Sequence, residues 1–165
     1  MKKWLLAASL TLLYGLVFFS CKKGTKEDGQ PDELDRKPML VHYADQYIIP
    51  AYTAMDEHMS ELKAKADAFT ANPDAATLAV FRTAWKEAYL TWQTVDLVEF
   101  GAAEDVSLRM YINTYPVTVS KVEANISSRS YDLETFGNKD AQGFPALDYL
   151  LNGLGSDATV LARYT

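Results

Sequence analysis

Two acidic residues stand where a carboxylate is expensive. Glu99 falls four residues after Val95, on the line of an apolar helical stripe. It also falls in the last turn of that helix, where the dipole disfavours negative charge. Such a placement asks for a partner: a metal cation, a helix N-terminus or an arginine. The alternative is that the stripe has ended and Glu99 is solvated, the ordinary state of an isolated acid. Asp148 lies four residues after Phe144, among Leu147, Tyr149, Leu150 and Leu151. A carboxylate in such a run is costly unless paired. It marks either a binding site or the one wet position of an amphipathic helix. Oxygen ligands of this kind suit iron or another divalent metal, so Glu99 and Asp148 are the candidate metal ligands. His58 and Glu61 form an H-x-x-E pair on one helix, a spacing that can serve metals. Two ligands on one turn do not make a site, and with 22 acidic residues in the chain a chance pair is expected. The pair is therefore read as solvent-facing. No catalytic residues are assigned, because H-E-x-x-H, a phosphate loop and G-x-S-x-G are all missing. Trp85, Tyr89 and Trp92, at helical spacing, read as core rather than as a stacking platform.

The elements that must carry these residues are helices. Ala44, Ile48, Tyr52, Met55, Met59, Leu62, Ala66 and Phe69 advance in steps of three and four, which predicts one helical face over Met39–Ala71. Pro50 should kink or split this helix. Asn72 is expected to cap a second helix with Pro73 in its first position. That helix spans Pro73–Phe100, with Leu78, Phe81, Trp85, Ala88, Trp92 and Val95 as its stripe and Gly101 as its stop. Thr114 and Pro116 predict the start of a third helix, with Val119, Val122 and Ile126 inward. Ser127–Gly143 reads as loop, and a short fourth helix covers Phe144–Asn152 before Gly153. No period-two alternation of useful length appears, so strands are not expected. The fold class is all-α, an up-and-down helical bundle. Residues 160–165 read as the opening of a further helix, so domain 38–165 is expected to be truncated at its C-terminus.

The first 37 residues differ from the rest. Lys2 and Lys3 precede an uncharged apolar run, Trp4–Ser20, and Cys21 follows the small Ser20. That is the layout of a signal peptide over residues 1–20. Cys21, the only cysteine, stands where a lipobox cysteine is cut and acylated, although Phe18 occupies the position that usually holds leucine. Residues 22–37 are polar and hold Pro31, which reads as a flexible tether. The chain is thus expected in the cell envelope, lipid-anchored, at the outer membrane. Cleavage before Cys21 removes two lysines and no acid, so the net charge of -6 becomes -6 - 2 = -8. A body of that sign is repelled by anionic lipid, and the acyl chains must do the holding. The same acidic balance excludes nucleic acid as an expected partner.

The run from Gly143 to Gly153, G-F-P-A-L-D-Y-L-L-N-G, resembles the signature of imelysin-like (peptidase M75-like) proteins, G-x-H-x-x-E followed by Y-L-L. Gly143 takes the glycine position, Pro145 the histidine position and Asp148 the glutamate position. Trp85–Gly101 is similar to the family's tryptophan-bearing helix ending in F-G, and Asn113–Pro116 to its segment ending in W-P or Y-P. The resemblance implies two related helical bundles in a longer, secreted or lipid-anchored chain, of which this one holds the first. It also implies a link to iron uptake or, for the family's named activity, peptidase chemistry. Proline neither ligates a metal nor moves a proton, so the expectation is a binding protein for a metal ion or an envelope partner. The alternative is a metallopeptidase whose missing ligands come from elsewhere.

Overall fold

The computed structural model describes residues 35–165, of which 39–165 pack as one unit. Cys21, the leader and nearly all of the tether lie outside the described residues. Among the described residues there is no strand; the chain is all-α.

A short helix α1 (Lys37–Tyr43) runs through a π-helical turn, Ala44–Ile48, into α2 (Ile49–Ala71). The break falls where Pro50 requires it. Proline has no N–H to give to the carbonyl one turn back, and the wider turn absorbs the loss. The next helix, α3 (Ala75–Val95), starts two residues later than the sequence suggests, because Asp74 rather than Asn72 caps it. The Asp74 carboxylate accepts from the Thr77 N–H at 2.8 Å, and the Thr77 hydroxyl accepts from the Asp74 N–H at 3.1 Å. This reciprocal box satisfies two otherwise orphaned donors. Pro73 stands just outside it. At the far end α3 stops at Val95, continues as a 3-10 turn, Asp96–Val98, and so releases Glu99 from the helix.

Helices α2 and α3 form the antiparallel pair on which the rest is built. Met55, Leu62 and Phe69 from α2 meet Leu78, Phe81, Ala84, Ala88, Trp92 and Val95 from α3, all buried. Phe69 is wholly enclosed, tilted against Phe81 at 5.7 Å and edge-on to Tyr164 at 4.8 Å. Two short helices absent from the sequence reading, α4 (Ala102–Asp105) and α5 (Leu108–Ile112), fill the connection after α3. Helix α6 (Val119–Ser128) begins at Thr118, not Thr114. The Thr114 hydroxyl instead donates back to the Met110 carbonyl at 2.6 Å and closes α5. A 3-10 segment, Phe136–Ala141, leads into α7 (Gly143–Asn152), and α8 (Asp157–Leu161) follows, capped by Ser156. Phe144 and Leu151 of α7 and Val160 of α8 complete the core. Arg82 of α3 ties the last two helices to the pair. It donates to the Leu151 carbonyl at 2.6 and 3.0 Å and to Asp157 at 2.7 Å.

The segment before α7 is fastened by Asp140. Its carboxylate accepts from the Thr118 hydroxyl at 2.6 Å and pairs with Lys121, which also donates to the Gly137 carbonyl. The Lys121 ammonium, then the Thr118 hydroxyl, hold the Asp140 carboxyl down at about 2. A carboxyl depressed on folding contributes stability above its unfolded value, near 3.9, and loses it as the pH falls through the folded value. Asp140→Asn should therefore cost on the order of 1 kcal/mol near neutrality, allowing for solvent screening of a partly exposed pair. Urea unfolding should show the difference between wild type and variant shrinking from pH 4 to pH 2. A difference constant over that range would remove the pair from the account.

Candidate functional site

Helix α7 enters the core on a left-handed residue. Gly143 has φ +73°, and a Cβ built on it would lie 2.1 Å from the Ile112 carbonyl oxygen at the end of α5. Only glycine accepts both the dihedral and the approach. Pro145 comes two residues later, in the first turn, where its missing N–H has no intrahelical partner to lose. Asp148 is the sixth residue of the helix, past the first turn where the dipole acts most strongly. Its Oδ1 accepts from the Asn152 side-chain amide at 2.8 Å.

Pro145 and Asp148 open on a cleft of about 370 Å³ walled by Trp85, Tyr89, Tyr115 and Tyr149. Trp85 and Tyr89 stack at 5.4 Å and 9°. The Trp85 indole donates to the Phe144 carbonyl at 3.2 Å, which fixes the wall to the motif helix. Trp92 is in the core, as its spacing suggests, but Trp85 and Tyr89 lie at the edge and face this cleft. Behind the cleft the Tyr149 hydroxyl donates to Glu123 at 2.8 Å, and Arg163 donates to both Glu123 oxygens at 2.6 and 2.7 Å. Arg163, then Tyr149, hold the Glu123 carboxyl below its ordinary range, and the same bond raises the Tyr149 phenol. Tyr149 is thus anchored, while Asp148 is the one charged side chain lining the cleft.

Glu99 faces a neighbouring hollow of about 480 Å³, which shares Asn113 and Tyr115 with the first. The two acids are therefore not brought into one site. Glu99 already has its partner: it accepts from the Arg109 N–H in the first turn of α5 at 2.8 Å and pairs with the Arg109 guanidinium at 3.3 Å. Arg109 also binds Asp96 at 2.7 Å. Of the partners the sequence left open for Glu99, the structure supplies the arginine and the helix N-terminus together. Arg109 carried no sequence signal, since it stands ten positions after Glu99, across loop and short helix.

Among the described residues, one set of three side chains is close enough to hold a metal, and it contains neither Glu99 nor Asp148. It is His58 and Glu61 of α2 with Glu87 of α3, whose ligating atoms all lie within 4.8 Å of one another. Glu87 is the member that sequence reasoning missed, because only the pairing of α2 with α3 brings it across.

Residues 48–163 match the family described as imelysin, peptidase M75. Iron-regulated protein A of Synechococcus elongatus is 25% identical over 89 residues, which are 54% of this chain and 25% of that protein. The chain thus spans about a quarter of the length of the curated relative it matches. No solved structure matches it significantly.

Proposed function

We propose that this chain, which belongs to the imelysin family, is a lipid-anchored envelope protein that binds at its motif instead of cutting a peptide there. The observation that carries this reading is the chemistry of the cleft. Where the family pattern has histidine, Pro145 offers neither a base nor a ligand. Asp148 is left as a single carboxylate between aromatic walls. One carboxylate cannot complete a metal shell, which takes three or four protein ligands. It does suit an ammonium or guanidinium group, which it can pair with while ring faces hold the cation's body. The ligand class is therefore a cationic group, such as a basic side chain presented by an envelope partner. Iron-regulated protein A, by its name, is regulated by iron, and we assign to this protein a role linked to iron or metal acquisition.

The peptidase reading has the family's name in its favour. It needs a base and metal ligands from outside this cleft. The two readings part at Asp148→Asn, which keeps the shape and removes the charge. With arginine methyl ester as the probe, the full chain should bind roughly fivefold more tightly than the variant, the ratio expected for about 1 kcal/mol of partly screened pairing. Far-UV circular dichroism should be unchanged, since Asp148 bonds only to Asn152. Equal affinities would take Asp148 out of the site.

A further inference from the structure

We propose that His58, Glu61 and Glu87 form a first-row divalent metal site on the outer seam of the α2–α3 pair, separate from the motif cleft. His58 and Glu61 are one turn apart on α2 and share a face. Glu87 reaches them from α3, where Ala84 and Ala88 on either side of it are buried and small, so the two helices approach closely there. The three ligating atoms lie within 4.8 Å of one another. With metal–ligand bonds of about 2.1 Å, tetrahedral ligands sit about 3.4 Å apart. The gap is at most about 1.4 Å, within the swing of the glutamate side chains.

The donor set defines the metal. One neutral imidazole and two carboxylates cancel the charge of a divalent ion, and mixed nitrogen and oxygen ligands suit zinc, manganese or ferrous iron. The i, i+3 spacing of His58 and Glu61 is one that metal-binding helices use, there in the reverse order, Glu-x-x-His. Three ligands leave positions for water, and Glu61 and Glu87 are exposed, so the ion exchanges with solvent. Lys65 is the built-in competitor. Its ammonium lies 3.7 Å from Glu61 and must give way when the metal enters.

Zinc titration of the full chain, followed calorimetrically, tests the site. One ion per chain should bind, and His58→Ala and Glu87→Gln should each lower the affinity by about tenfold or more, as loss of one of three ligands demands. Lys65→Gln should raise it, and Asp148→Asn should leave it unchanged, which separates this site from the motif cleft. A second measurement uses the wild type alone. The chain has only two histidines, His42 and His58, and substoichiometric manganese should broaden the ring proton resonances of His58 before those of His42. Undiminished zinc affinity in both ligand variants, loss confined to Asp148→Asn, or equal broadening of the two histidines would each overturn the proposal.

Discussion

Gly143→Ala should lower the melting temperature by more than about 10 °C, although it adds a single methyl group. Two costs coincide at this position. An alanine at φ +73° pays about 1–2 kcal/mol for left-handed backbone. Its Cβ would also stand 2.1 Å from the Ile112 carbonyl oxygen, closer than any real contact, and the obstacle is backbone and cannot rotate aside. Either α5 retreats or α7 withdraws Phe144 from the core, and the total should exceed about 3 kcal/mol. For a domain of this size that is the expected shift in melting temperature. Gly101→Ala is the control. Gly101 also has a positive φ, +57°, with ψ -130° outside the left-handed helical well, but nothing lies within 4 Å of its would-be Cβ. It should show only the backbone cost. Equal, small shifts at the two glycines would mean that the approach of α7 to α5 is looser than described.

Cys21→Ser should move the protein from the membrane fraction to the soluble one, or stall its processing. A body cleaved before Cys21 would carry a formal charge of -8, two lysines fewer than the net -6 of the chain, so electrostatics would oppose contact with anionic lipid. No described helix is long and apolar enough to cross a membrane. Acyl chains on Cys21 would contribute about 0.8 kcal/mol per buried methylene, and more than one chain is needed for stable anchoring. Loss of the thiol removes the attachment point for all of them. Fractionation of cells that express each form, with an immunoblot for the chain, measures the effect. A membrane fraction that is unchanged in Cys21→Ser would point to residues 4–20 as an uncleaved anchor.

How much was legible in the sequence depends on how local each cause is. The stripes of α2 and α3 could be read because long periodic patterns record the face that is buried. Met55, Leu62, Phe69, Leu78, Phe81, Ala88, Trp92 and Val95 all lie in the core as spaced. Caps were harder, because neighbouring residues compete for the role. Asp74 prevails over Asn72 through its exchange with Thr77, and Thr114 serves the helix behind it rather than the one ahead. The single-turn helices α4 and α5 had no periodicity to show. α5 is held from outside, by Glu99 and Asp96 through Arg109.

The site divides along the same line. Gly143, Pro145 and Asp148 were visible as a motif, and the helix start explains the first two in purely steric terms. The cleft that Asp148 faces was not visible, since Trp85 and Tyr89 come from α3, Tyr115 from a loop and Tyr149 from α7. Glu87 was hidden for the same reason: its meeting with His58 depends on the register between two helices, which no spacing within either one reports.

The most direct test of binding against cleavage is a proteolysis assay of the full chain on an unfolded protein substrate with and without added zinc, run beside Asp148→Asn. With Pro145 in the histidine position, wild type and variant should both release peptides no faster than a zinc-containing blank. Zinc-dependent cleavage by the wild type that disappears in Asp148→Asn would contradict the account.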